Sequence, residues 1–246
     1  MKLIKDNSIK LAIIAIFVAS IWLIFFAKVT PPNFAEAPAG KDRKTMFFNY
    51  FLPIVTELNI EIKQDRKLVL TQCEGESVSH NSALLDLGKK YRINEGDLKN
   101  RTLCEVLTLR VDEIPASLVL AQAANESAWG TARFAQQGNN FFGQWCFKKG
   151  CGIVPKGRDS GKGHEVASFR SPQDSVRSYM MNLNTHNAYI SLRNIRYSLR
   201  QKGNIVTGNE LSHGLNKYSE RGTAYGEELR KMINFNRLTQ YDQNLS

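Results

Sequence analysis

The chain has 246 residues, 42% of them hydrophobic and 23% charged, with no internal repeat or low-complexity tract. That length holds one or two domains with a real core, and the composition is that of an ordinary globular protein rather than a fibrous or repeat one. Lys+Arg 33 against Asp+Glu 23 gives a net charge of +10, which suits nucleic acid, anionic lipid or an anionic wall polymer and does not choose among them.

The first ten residues, MKLIKDNSIK, carry Lys2, Lys5 and Lys10 against Asp6. Residues 11–27, LAIIAIFVASIWLIFFA, contain only Ser20 as a polar residue. As a helix this run spans about 26 Å, slightly short of the roughly 30 Å hydrocarbon core, and Lys10 and Lys28 can snorkel to make up the difference. A cleavable signal needs small residues just after the apolar run; Phe25 and Phe26 stand there instead. The expectation is a retained signal-anchor over 11–28 in the inner (cytoplasmic) membrane. The positive flank places residues 1–10 in the cytoplasm and the rest on the periplasmic or extracytoplasmic side. An exported basic domain is a poor candidate for nucleic acid, and there is no aromatic–basic binding motif.

Residues 29–41, including TPPNFAEAPAG, read as a linker. A helical leader is expected over 42–80, with Phe47, Phe48, Phe51, Val55 and Leu58 recurring at threes and fours. Pro53 should kink or split it. The catalytic domain is expected over 81–240. SALLDLGKKYRI and LKNRTLCEVLTLR read as short helices, and Pro115 opens a further one, PASLVLAQAANESAWG, in the first-turn position that suits proline. Residues 146–170 are glycine-rich and read as loops with one or two short strands. Helical spacing returns from Pro172. The fold class expected is α+β, mostly helical.

Four cysteines outside the reducing cytosol suggest two disulfides, Cys73–Cys104 and the local pair Cys146–Cys151. The competing use, a zinc site from Cys146, Cys151 and His164, lacks a second close ligand pair. GRDSGKG, residues 157–163, is no phosphate loop: its first glycine stands one residue too close and Gly163 replaces the hydroxyl residue that would hold magnesium. No nucleotide, cofactor or metal is expected.

On the helix from Pro115, Gln122, Glu126 and Trp129 fall near one face. Glu126 lies near the C-terminal end, where the helix dipole and partial burial both raise a carboxyl pKa. A proton retained near neutral pH is what a general acid needs to protonate a glycosidic oxygen. The alternative is a buried ion pair, with Arg133 as partner.

LAQAANESAWGTARFAQQGNNFFGQW closely resembles the core motif of bacterial peptidoglycan glucosaminidases, glycoside hydrolase family 73. FRSPQDSVRSYMMNLNTHNAYISLR resembles that family's second block, with an aromatic and a final tyrosine, and LNKYSERGTAYGEEL its third, Tyr-Ala-Thr-Asp-x-x-Tyr. With the anchor and the helical leader, the chain is most similar to the Bax-like branch. The resemblance implies a lysozyme-like fold with a small β-lobe and cleavage of the GlcNAc-β-1,4-MurNAc bond of wall glycan. It places Glu126 at the catalytic acid and Tyr218 in the cleft. A second carboxylate is implied before the Phe-Arg block; Glu165 is preferred, with Asp159 and Glu220 as alternatives. Ser219, Glu220 and Arg221 depart from the family's Ala-Thr-Asp, and the loop CFKKGC is an addition to its minimum. Substrate contacts are expected from Gln122, Trp129, Asn140, Phe142, Trp145 and Tyr189. A muramidase or lytic transglycosylase on the same fold, and an inactive wall-binding protein, are the competing readings. Inverting, substrate-assisted and covalent routes need different carboxylate geometries, which spacing does not fix.

Overall fold

The computed structural model describes residues 30–74, 81–158 and 161–242. The expected signal-anchor and Asp159 lie outside the described residues. Among those described, no helix is long and apolar enough to cross a membrane.

Helix α1, Lys41–Cys73, is continuous through Pro53, which corrects the expected split. Both Pro53 and Asn49, whose carbonyl the proline leaves without its helical donor, are on the exposed side. Water can serve that carbonyl there, so the helix is not forced to break. On its other face Phe47, Phe51, Val55 and Leu58 are buried. Phe47 and Phe51 pack with Phe34 and with Phe141 of the later loop, the Phe51–Phe141 centroids lying 4.7 Å apart. The leader therefore shares the domain's main core.

Short helices α2 (Ser82–Lys90) and α3 (Leu103–Arg110) follow. Asn81 caps the first and a Thr102–Glu105 capping box opens the second. With the end of α1 they enclose a smaller core around Val69, Leu84, Tyr91 and Leu107, and the Cys73–Cys104 disulfide ties α1 to α3 beside it. Just after α3, buried Asp112 is ringed by Arg66, Arg196 and Arg200. This charge cluster fixes the chain where it turns into α4, Ala116–Glu126.

After α4 come α5 (Arg133–Gly138) and three very short strands, β1 (Trp145–Cys146), β2 (Gly152–Ile153) and β3 (Glu165–Ala167). They form one antiparallel sheet in the order β1-β3-β2. Gly152 is required in β2, because a Cβ there would meet the Val166 carbonyl oxygen at 1.9 Å. Helices α6 (Pro172–Thr185), α7 (Ile190–Gln201), α8 (Gly208–Ser212) and α9 (Thr223–Phe235) complete the helical lobe around α4. The fold is α+β and mostly helical, with a small three-stranded lobe, as its sequence leads one to expect.

Candidate active site

Helix α4 is held at both ends, and this sets where Glu126 stands. Every residue from Ala116 to Ala124 is buried. The first turn has no local side-chain cap; Asp242, far along the chain, accepts from Ser117 N at 2.9 Å and Ser117 Oγ at 2.6 Å. Asn59 of α1 brackets Ile114 just ahead, donating to its carbonyl at 2.9 Å and accepting from its N–H at 3.0 Å. At the other end Ser127 Oγ donates to the Ala123 carbonyl at 2.6 Å and accepts from Gly130 N at 2.8 Å. The backbone turns left-handed at Ala128 and Trp129 (φ 48° and 60°) and again at Gly130. Two non-glycine residues in that region carry strain of the kind found at functional turns. Gly130 has no substitute, since a Cβ would lie 2.3 Å from the Phe34 ring. The helix thus stops at Glu126 and delivers its side chain at the C-terminal end.

Glu126 Oε1 accepts from the Tyr225 hydroxyl at 2.7 Å. That hydroxyl accepts from Gln122 Nε2 at 3.0 Å, and Gln122 Oε1 accepts from the Tyr179 hydroxyl. Glu126 Oε2 faces Gly143, where a Cβ would stand 3.9 Å away. The Phe142 ring stacks on Tyr179 with centroids 4.0 Å apart, and Tyr218 stacks on Tyr225 at 5.1 Å. Tyr218 also donates to the Phe142 carbonyl at 3.0 Å, and Tyr189 lies 6.2 Å from Tyr218.

Burial is the largest influence on the Glu126 carboxyl and holds its pKa above the ordinary value, against the opposing hydrogen bonds from Tyr225 and Asn125 and the charge of Arg221. Burial, with Glu126 nearby, also pushes up Tyr179, Tyr218 and Tyr225, and raises Tyr189 to about 12. All four phenols keep their protons near neutral pH. Arg133 is not an ion-pair partner of Glu126: its Nη2 donates to the Val154 carbonyl at 2.9 Å.

Glu165 sits in a different setting. It is buried in β3, opposite Cys146. One oxygen accepts from Gly150 N at 3.0 Å and the other from Gly152 N at 2.8 Å. These N–H donors hold its pKa below the ordinary value. Cys146 and Cys151 are bonded to each other against this carboxylate, so their sulfurs are not free as metal ligands.

A family profile described as glucosaminidase, mannosyl-glycoprotein endo-beta-N-acetylglucosaminidase, matches residues 108–238. That span is more than half of the chain and contains α4 and the tyrosines around it. The chain belongs to the glucosaminidase family. It is 35% identical to Protein bax of Escherichia coli (strain K12) over 207 residues, 83% of this chain and 74% of that one. Among solved structures, the catalytic domain of the autolysin Auto from Listeria monocytogenes aligns with a TM-score of 0.42 and 18% identity, covering 84% of this chain and 92% of that one.

The remaining expected positions divide by burial. Gln122 is 0% exposed with both ends of its amide engaged, so the expected sugar contact gives way to support of Tyr225. Asn140 is buried as well. Its amide donates to the Gln144 and Ala167 carbonyls and accepts from Phe142 N and Gln144 N, so it shapes the loop. Phe142 and Tyr189 are buried beside Tyr179 and Tyr218. Trp129 turns toward α1, packing on Phe47 and Phe48 under Lys44. Trp145 is 54% exposed with one face against His164. Glu220 is exposed in the turn after Tyr218. Sequence reasoning missed Tyr225, Tyr179 and Gly143. Tyr225 closes the third block and Tyr179 is the aromatic of the second, so both signals were present.

Proposed function

We propose that this glucosaminidase-family chain is a peptidoglycan hydrolase that cuts the GlcNAc-β-1,4-MurNAc bond, with Glu126 as general acid. The observation that carries the reading is the setting of Glu126: a carboxyl at the end of a buried helix, raised in pKa, with one oxygen taken and the other beside a glycine. The chain of donors runs from Tyr179 through Gln122 and Tyr225 to Oε1. Oε1 is therefore the acceptor, and the transferable proton belongs on Oε2, toward Gly143. As the C1–O bond breaks, Oε2 gives its proton to the departing sugar oxygen, and Oε1 keeps its hydrogen bond from Tyr225 while the charge develops. Water then supplies the hydroxyl at C1, and its remaining proton returns to Glu126 Oε2, which restores the acid. We assign Glu165 to the β-lobe, because both of its oxygens are engaged by backbone N–H groups of the adjoining loop.

We also propose that residues 11–28 anchor the chain in the inner membrane with the domain outside. The two disulfides support an oxidising location.

The test uses the full-length chain and purified sacculi. Released fragments are reduced with borohydride and the reduced end is identified by mass spectrometry. Reduced GlcNAc is expected. Reduced MurNAc or anhydro-MurNAc ends would move the bond to that cut by a muramidase or lytic transglycosylase.

A further inference from the structure

The β-lobe ends in a loop that the chemistry of Glu126 does not use. Residues 145–167 hold Lys148, Lys149, Lys156, Arg158 and Lys162 against Asp159 and Glu165, and Glu165 is turned inward onto backbone N–H groups. The loop CFKKGC is closed by the Cys146–Cys151 disulfide, by a turn in which Cys151 N donates to the Lys148 carbonyl at 3.1 Å, and by the Glu165 clasp on Gly150 and Gly152. Three constraints on so short a loop fix what it displays. It displays Phe147, 83% exposed, followed by exposed Lys148 and Lys149. Neither lysine has an acidic partner among the described residues.

The loop displays an aromatic ring next to two cations on a rigid support, and rigidity lowers the ordering cost of binding. Position narrows the partner. Trp145, which leads into the loop, lies two residues beyond Gly143, at most about 7 Å along the backbone, and Gly143 faces the Glu126 carboxyl. The Trp145 ring is half-exposed with His164 against it and is available for stacking on a sugar. Phe147, Lys148 and Lys149 follow within four residues of Trp145 and are exposed to solvent, within reach of branches on a glycan bound beside Gly143.

We infer that Phe147, Lys148 and Lys149 form a subsite for the carboxylate-bearing peptide branches of the glycan, so that the protein prefers peptide-bearing strands to stripped ones. This rests on the proposed glycan substrate. The lysines supply two cations for peptide carboxylates and Phe147 covers the peptide's apolar parts. The disulfide and Glu165 keep the three in place.

The experiment compares the full-length protein with the triple variant Phe147→Ser, Lys148→Ser, Lys149→Ser on two substrates: intact sacculi and sacculi stripped of peptides by an amidase. The wild type is expected to show the lower KM on intact material. The variant should raise that KM about tenfold, a size ordinary for losing a few exposed contacts, with kcat and the KM on stripped strands unchanged. Equal wild-type KM values, or a variant that loses both substrates equally, would overturn the subsite. If neither substrate is cut, the glycosidase reading fails separately, and co-sedimentation with the two kinds of sacculi still reads the subsite: a preference lost in the variant supports it, and no preference overturns it. In proteoliposomes with phosphatidylglycerol, lipid-dependent protection of Lys148–Lys149 from trypsin, alongside equal KM values, would give this surface to the membrane and overturn the proposal.

Discussion

Glu126 and Glu165 are both withdrawn from solvent and both accept hydrogen bonds, yet their carboxyls shift in opposite directions. Glu126 ends a buried helix and is faced by side-chain donors only, the Tyr225 phenol on Oε1 and the Asn125 amide; desolvation wins and its pKa rises. Glu165 receives backbone N–H groups on both oxygens; the donors win and its pKa falls. Burial alone does not make a proton donor. What separates the two is how strongly the carboxyl is desolvated, how many strong donors face the charged form, and whether an oxygen is left for anything else.

The comparison breaks most plainly at Glu126 itself. Glu126→Gln should lower hydrolysis of sacculi by about 10²–10⁴-fold, the usual range for a general acid, with circular dichroism and binding to sacculi unchanged. Near-wild-type turnover would remove the assignment. Gly143→Ala comes next: it puts a methyl beside Oε2 at a backbone φ of +64°. It should cost roughly tenfold or more in kcat/KM, since small misplacements at a reacting centre cost up to 10²-fold, while Glu126 keeps its bond to Tyr225. An unaffected kcat/KM would mean the proton does not leave by that face.

Tyr225→Phe sharpens the comparison through pH. The phenol stabilises the carboxylate form of Glu126, so its loss should raise the pKa further. A general acid works while protonated, so activity falls as pH rises through its pKa; the alkaline limb should therefore move up in the variant. The variant should also lose about 1–3 kcal/mol of stability, because Gln122 Nε2 is left without its acceptor in a buried place. A limb that stays put or moves down would separate Tyr225 from the acid. The smallest effect on hydrolysis is expected from Glu165→Gln, within about tenfold, well below the general-acid range. The amide can serve only one of the two N–H groups, so hydrogen exchange at Gly150 and Gly152 should quicken. A loss as large as that of Glu126→Gln, with the loop still protected, would return Glu165 to the chemistry.

The helix carrying Glu126 was legible because its signals are local: Pro115 opens it, an apolar run follows, and Ser127 and Gly130 mark its end. The disulfide partners were legible from their spacing. What could not be read is non-local. Asp242 caps a helix 125 residues earlier, and the three arginines around Asp112 come from two distant stretches of chain, one on α1 and one on α7. Tyr225 was passed over because the third block carries one residue more than the family pattern, which obscured its last tyrosine. Asn140 and Gln122 were legible as important but not as buried, since an amide that binds sugar and an amide that binds backbone look alike in sequence. Pro53 misled because the rule for proline in helices assumes a carbonyl without water, and this one lies on the solvent side.

Helix α1 has a mechanical consequence. Its 33 residues make a strut about 50 Å long at 1.5 Å per residue, riveted to α3 by Cys73–Cys104 and latched to the approach of α4 by Asn59. Tension applied ahead of Lys41 would run down that strut into a covalent bond and a packed core, bypassing the β-lobe. Under the proposed anchor, a domain built this way can be pulled on while the surroundings of Glu126 stay in register.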